Sequence, residues 1–149
     1  MHKLAFPLIH HASQLIVEQV EGVSHLFDPI RKYLIKLTPE EMVRQSLLIY
    51  LLEEFPAYRS KIAVEKEIKV NLRKKRFDML IYDASHKPMM LIECKAPTVK
   101  ITQSVMDQVA WYNVALRAPY LLITNGETTY CAVIDFEQQE YAFLEKFPL

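Results

Sequence analysis

Hydrophobic and polar residues follow two different periods along this chain, and each change of period marks an element. The first strong pattern opens at Thr38-Pro39-Glu40-Glu41. Thr38 is suited to cap a helix, Pro39 to its first turn, and Glu41 to complete a capping box. Met42, Val43, Leu47, Leu48, Leu51, Leu52 and Phe55 continue with helical spacing, and Pro56 stands where the helix should stop. Before it, residues 27–37 predict a short extended segment around Arg31-Lys32-Tyr33. Residues 1–26 are expected as an N-terminal helical or extended segment, because Leu8, Ile9, Leu15, Ile16 and Val20 are roughly helically spaced. The remainder, residues 27–149, is expected as one domain.

After Pro56 the period shortens. Residues 62–72 alternate charged and apolar, as a half-exposed strand does. Residues 76–82 and 89–95 are short apolar runs joined by the turn-forming stretch 83–88, and together they predict a β-hairpin. Residues 102–117 predict a second helix, and residues 119–124 another strand, stopped at Asn125-Gly126. Residues 130–136 and 141–147 add a further hairpin. The fold class this order implies is α/β, a central mixed β-sheet flanked by helices.

Three polar residues break the apolar strands: Asp78, Glu93 and Lys95. Strand residues two apart share a face, so Glu93 and Lys95 project together while Ile92 and Cys94 point the other way. A hairpin closed by residues 83–88 sets Asp78 across from that pair. Two carboxylates and an ammonium then converge, and a hard divalent cation would relieve the repulsion between the acids. Mg²⁺, or Mn²⁺ in its place, takes one or two protein carboxylates. Asp78 and Glu93 supply them, with the Cys94 backbone carbonyl as a third oxygen. Such an ion holds a phosphate and acidifies water, while Lys95 orients that water or meets the developing charge. The bland alternative is a surface ion pair between Lys95 and one of the acids.

Composition narrows the function. The chain has 149 residues, 51% of them hydrophobic and 24% charged, as in an ordinary globular domain. Two glycines leave no Gly-rich phosphate loop, so neither an ATP motor nor a dinucleotide site is recognisable. Eighteen basic against 18 acidic residues give no global nucleic-acid footprint, so contact with DNA needs a local patch. Arg73-Lys74-Lys75-Arg76 is the one basic run, read as a phosphate grip beside Asp78 or as a solvated hairpin turn. Trp111 and Tyr112 read as core aromatics. Cys94 and Cys131 lie in apolar runs and form no metal-type pair, and His10, His11 and His25 have no carboxylate at ligand spacing. No apolar stretch reaches the length of a membrane span, and the start has no signal-peptide layout. A cytoplasmic protein without membrane contact is expected.

Asp78 and Glu93-Cys94-Lys95, with the helix before them, resemble the PD-(D/E)XK nuclease superfamily. More narrowly, the chain resembles the N-terminal nuclease domain of type I restriction enzyme R subunits. Residues 27–32, 37–45, 76–78, 92–97 and 122–126 carry the likeness, which covers most of the chain from Phe27 to Ile134. The resemblance implies a restriction-endonuclease-like fold over residues 27–149 and Mg²⁺-dependent hydrolysis of DNA. Asp78 and Glu93 would be metal ligands and Lys95 the catalytic lysine. Gln108 and Tyr112 match a Q-x-x-x-Y element on the following helix, and spacing of four puts them on one face. Glu41 matches a helical acid that aids metal binding, although its capping role explains it equally well. Arg44 is placed as a DNA contact in the same cleft with Gln45, against a solvated or core-satisfying alternative. Implied partners are DNA, other restriction-modification subunits and a second copy of the chain. The superfamily's proline before the first aspartate is Phe77 here, and no motor of the kind that completes a restriction subunit is present. The competing reading is therefore a non-catalytic nucleic-acid-binding or protein-assembly module that keeps the nuclease fold.

Overall fold

The computed structural model describes residues 1, 3, 4 and 8–149, with the side chains of residues 9 and 10 excepted. Its N-terminal part is a short helix, α1 (Ile9–Ala12), followed by three strands, β1 (Val17–Val20), β2 (Val23–Asp28) and β3 (Tyr33–Lys36). These form an antiparallel meander of their own. Beyond α1 the described part of residues 1–26 is extended, and Ile16 and Val20 stand in solvent instead of lining a helix face. Residues 2 and 5–7 of that segment lie outside the described residues. The β1–β2 turn is Glu21-Gly22, with φ of +50° and +78°, the paired left-handed conformation that a two-residue hairpin demands. The boundary expected between residues 26 and 27 falls inside β2.

Helix α2 (Pro39–Glu54) begins as its sequence dictates, with the Thr38 hydroxyl accepting the Glu41 N–H at 3.1 Å. The capping box is only half made, because the Glu41 carboxylate is held elsewhere. A 3₁₀ turn (Pro56–Lys61) leads to β4 (Ile62–Val70), β5 (Arg73–Tyr82) and β6 (Pro88–Cys94). The chain then crosses through α3 (Gln103–Asn113) to β7 (Tyr120–Thr124), β8 (Thr129–Asp135) and β9 (Glu140–Phe143). The sheet order is β4-β5-β6-β7-β8-β9, and β6–β7 is its parallel pair. A parallel neighbour needs a crossover, and α3 supplies it.

Alternation along the central strands buries both faces. Met79, Ile81, Met90, Ile92, Cys94 and Leu122 pack beneath Val43, Leu47, Leu48 and Leu51 of α2. Phe77, Leu80, Leu91, Leu121 and Ile123 pack beneath Met106 and Val109 of α3. Each fully buried leucine contributes about 1.5–3 kcal/mol against exposure, so α2 is fixed rigidly over the β5–β6 strands. The mixed sheet flanked by helices is as expected. Two boundaries are not. The β4–β5 hairpin turns at Asn71-Leu72 (φ +48° and +65°), so residues 73–76 belong to β5 and not to the turn. Helix α3 stops at Asn113, whose amide bonds the Ala118 backbone at both N–H (3.2 Å) and C=O (2.8 Å), ending the helix before residue 117.

Candidate active site

Strands β5 and β6 pair from Tyr82–Pro88 through Ile81–Met90 and Leu80–Leu91 to Met79–Ile92, and toward Asp78 the ladder goes no further. Continuing the register would set Asp78 opposite Glu93. Instead the Asp78 carboxylate takes over from the backbone, its Oδ2 accepting the Cys94 N–H at 2.6 Å. On its other side β6 still pairs with β7 through Cys94 and Thr124, and the Lys95 N–H donates to the Thr124 carbonyl at 2.8 Å. The two strands thus part at the point where the acids stand. Lys95 Nζ donates to Glu93 Oε1 at 3.0 Å, as two residues on one strand face should.

Asp78 and Glu93 are both buried, at 8% and 7% exposure. Burial, and next the charge of Asp78, push the Glu93 carboxyl above its ordinary value. Burial opposes the charge on Lys95, but the adjacent Glu93 and then Asp78 outweigh it, so its ammonium is held above the usual lysine range. The Cys94 thiol is buried on the α2 side, and burial followed by the Asp78 charge drives it far up. It stays protonated, and only its backbone can serve the cleft.

Helix α2 brings the second half of the cluster. Arg44 is turned inward at 4% exposure, and its guanidinium bonds Asp78 Oδ1 and Glu41 Oε2. It also reaches Glu65 Oε1 at 3.1 Å and Glu40 Oε1 at 3.4 Å. Placed in sequence as a DNA contact, Arg44 instead has the core-satisfying role: five-donor fork geometry suits it to bridge several carboxylates. Glu41 Oε1 accepts from Arg31 Nη2 at 2.8 Å and Gln45 Nε2 at 3.0 Å. The fully buried Asp28 completes the network, bound by Arg31 Nε at 2.7 Å and Gln45 Nε2 at 2.8 Å. The meander is thereby tied to α2 by charge.

The remaining sequence-predicted residues lie outside this knot. Gln108 is exposed on α3 and Tyr112 is half-buried, and neither bonds Asp78, Glu93 or Lys95. Lys75 stands 4.7 Å over the Tyr112 ring, and its charge is felt at Glu93. Lys74 pairs with Glu67 at 3.0 Å, Arg76 with Glu65 at 3.1 Å, and Arg73 is exposed. Trp111 is 58% exposed, so it is not a core residue. Sequence reasoning missed Asp28, Arg31, Glu40 and Glu65 as members of the cluster. Glu65 falls between the Val64–Met79 and Lys66–Phe77 pairs of β4 and β5, level with Asp78 and in the left-handed region at φ +54°. Nothing in an alternating strand announces that.

The donor chemistry fits a hard divalent cation. The acids are oxygen donors only, and burial first, then the Asp78 charge, raise the Glu93 carboxyl, both of which a bound cation would offset. Among the described residues no group of three or more His, Cys, Asp or Glu side chains is arranged as a metal cage. Mg²⁺ needs no such cage: it ordinarily takes one or two protein carboxylates and fills its other positions with water and substrate oxygens.

Comparison with known proteins gives a consistent result. The family model described as type I restriction enzyme R protein N terminus matches residues 39–148. A solved fragment described as an HsdR subunit of a type I restriction enzyme from Vibrio vulnificus YJ016 is similar in fold, with a TM-score of 0.52 and 20% identity. The match covers 75% of this chain and 24% of that one, so this chain spans about a quarter of its length. No curated protein matches the chain.

Proposed function

The chain belongs to the family of type I restriction enzyme R protein N termini, and from that premise we propose that its Asp78–Glu93–Lys95 cleft hydrolyses DNA phosphodiester bonds with Mg²⁺ or Mn²⁺. The observation that carries the reading is the parting of β5 and β6 at two buried acids, with an ammonium bonded to one of them. Asp78, Glu93 and the Cys94 carbonyl would hold the cation, which when bound would draw in the phosphate and acidify a nearby water.

The chain's own residues do the rest. Lys95 keeps its proton at neutral pH, because Glu93 outweighs the burial that opposes its charge. Its Nζ is therefore a donor, fixed by Glu93 Oε1, that can orient a water or meet negative charge developing on phosphate oxygens. Asp78 is held still by the Cys94 N–H on one oxygen and Arg44 on the other. Glu41 acts through Arg44 as a positioning residue. Gln108, Tyr112 and the basic residues Arg73, Lys74, Lys75 and Arg76 are the candidates for contact with the DNA backbone.

DNA is then the partner, along with other restriction-modification subunits and a second copy of the chain, and the setting is the cytoplasm. No helix among the described residues is long and apolar enough to cross a membrane. Plasmid nicking with Mg²⁺ or Mn²⁺, comparing the parent chain with Asp78→Ala and Lys95→Ala, tests the proposal. Cleavage by the parent and its loss in both variants is the expected result; equal activity in all three would sink it. One observation favours a second reading. Arg44 already neutralises Asp78, as it would in a non-catalytic nucleic-acid-binding or assembly module that keeps the fold. Calorimetric titration with Mg²⁺ separates the two, since only the first requires binding that Asp78→Ala and Glu93→Gln abolish.

A further inference from the structure

The tip of the β4–β5 hairpin and helix α3 enclose a groove of about 430 Å³, lined by Val70, Asn71, Arg73, Lys74, Lys75, Trp111 and Tyr112. It lies beside the acidic cluster and is chemically unlike it. Arg73 and Lys75 make no salt bridge with any described residue, while Lys74 is paired only with an exposed glutamate. Lys75 links the two regions, since it covers the Tyr112 ring on one side and its charge lowers the Glu93 carboxyl on the other. Trp111 meets Tyr112 edge to face, 5.3 Å between centroids at 70°, and most of its surface faces solvent. A tryptophan left in water beside unpaired cations offers what an unstacked base and its phosphates need: a π-face and positive charge.

A second observation comes from the backbone. Leu72, between two groove residues, is 99% exposed at φ +65°. A branched apolar side chain gains nothing from water, and this conformation favours glycine, so the position is held against local stability. In proteins that kink duplex DNA, apolar side chains insert between base steps and unstack them, and an exposed leucine offers the same wedge to adjacent bases of one strand.

We infer that this groove binds a single-stranded stretch of the DNA leading into the cleft, with phosphates on Arg73 and Lys75, a base stacked on Trp111 and Leu72 as the wedge that holds it unstacked. The inference rests on the reading of the cleft as a DNA site and specifies the form of DNA it receives. A duplex shows base edges in its grooves and hides the faces of its bases, so Trp111 discriminates in favour of the unpaired strand.

The experiment uses the intrinsic signal of the chain, because Trp111 is its only tryptophan. Oligo(dT), titrated into the intact protein in EDTA, quenches the Trp111 emission, and a blunt duplex at equal nucleotide concentration does not. Anisotropy with a labelled oligo(dT) then shows Trp111→Ala weakened about 5- to 150-fold, the range for loss of one stacked base. Arg73→Gln with Lys75→Gln flattens the salt dependence by about 1.4 log units per log unit of salt, at ~0.7 for each phosphate released. Leu72→Gly loses affinity while its melting temperature rises, a combination that a merely structural leucine would not give. Absent quenching, equal quenching by duplex, or parental affinity in Trp111→Ala overturns the inference. Because EDTA removes any catalysis, the outcome is independent of the nicking assay. Quenching without Mg²⁺-dependent cleavage keeps the groove and removes the nuclease, and cleavage without quenching does the reverse.

Discussion

Arg44→Met is the most informative single perturbation, because it keeps an unbranched apolar stem and removes the guanidinium with its charge and donors. In the parent, the guanidinium bonds Asp78 and Glu41, whose side chains are 11% and 6% exposed. Its contacts with Glu65 and Glu40, at 23% and 46%, are closer to solvent and count for less. Removing one partner of a buried ion pair costs about 3–5 kcal/mol, since the other charge is left stranded. Here the stranded acids retain some support: Asp78 keeps the Cys94 N–H, and Glu41 keeps Arg31 and Gln45. The loss should therefore fall near about 3 kcal/mol, the lower end. At roughly 2–4 °C per kcal/mol for a chain of this size, Tm drops by about 6–12 °C. Urea titration with and without millimolar Mg²⁺ measures it. If Asp78 and Glu93 take the ion, Mg²⁺ restores part of the loss in Arg44→Met and none in the double variant with Asp78→Asn. Arg44→Lys should rescue little, because a compact ammonium cannot bridge four acids as a planar fork does. A loss below about 1 kcal/mol, the worth of an exposed pair, would refute the description of this network as buried and strongly coupled.

Other consequences can be checked separately. Asp28 is subject to burial, which opposes its charge, but hydrogen bonds from Arg31, Gln45 and Ile30 outweigh it and hold its carboxyl below the ordinary 3.8. The unfolded chain then binds that proton more readily, so the stabilisation is complete above pH 3.8 and fades as pH falls below it; Asp28→Asn should show a shallower acid limb in urea midpoints across that range. Leu72→Gly should raise stability by roughly 0.5–1 kcal/mol, the relief of a left-handed L-residue less the entropy of glycine, read as a higher urea midpoint at unchanged slope. Leu48→Ala, in the fully buried ridge of α2, should cost about 2–5 kcal/mol; an unchanged midpoint would mean that α2 is not clamped to the sheet.

What the sequence disclosed depended on whether an element is wet on one side only. Helix α2 has an apolar face, a capping threonine and a terminating proline, so its limits could be read within a residue or two. The strands β4 to β6 declared themselves through alternation and short apolar runs. The meander did not, because its outer face is solvated and carries Val20, Val23 and Phe27 in the open. Ile16 and Val20, four apart, satisfy a helical period by accident, and the feature that separates hairpin from helix is the left-handed Glu21-Gly22 pair. Residues 73–76 misled for the same reason: a strand end exposed on both faces has no hydrophobic period, and four cations in a row look like a turn. Trp111 was placed in the core by helical spacing alone, although Met106 and Val109 already supply the buried face of α3.

At the site, legibility followed the cost of burial. Asp78 and Glu93 stood out because an acid inside an apolar strand needs a partner, and that requirement is visible without coordinates. The identity of the partner is not, because it is met across the chain: Arg44 lies 34 residues from Asp78, and Glu65 enters only through the β4–β5 register. The chain as a whole is neutral, yet among the described residues Glu40, Glu41, Glu65, Asp78 and Glu93 share only Arg44, Lys95, Arg31 and Arg76, leaving acids in excess by one. Burial and then Asp78 raise Glu40 as well as Glu93, so the imbalance is felt on both sides of the cleft. A purely structural network would be more stable with charges matched or replaced by apolar groups. An unmatched one is costly unless a cation arrives to complete it, and this local surplus is the strongest physical support for a divalent ion between the two strands.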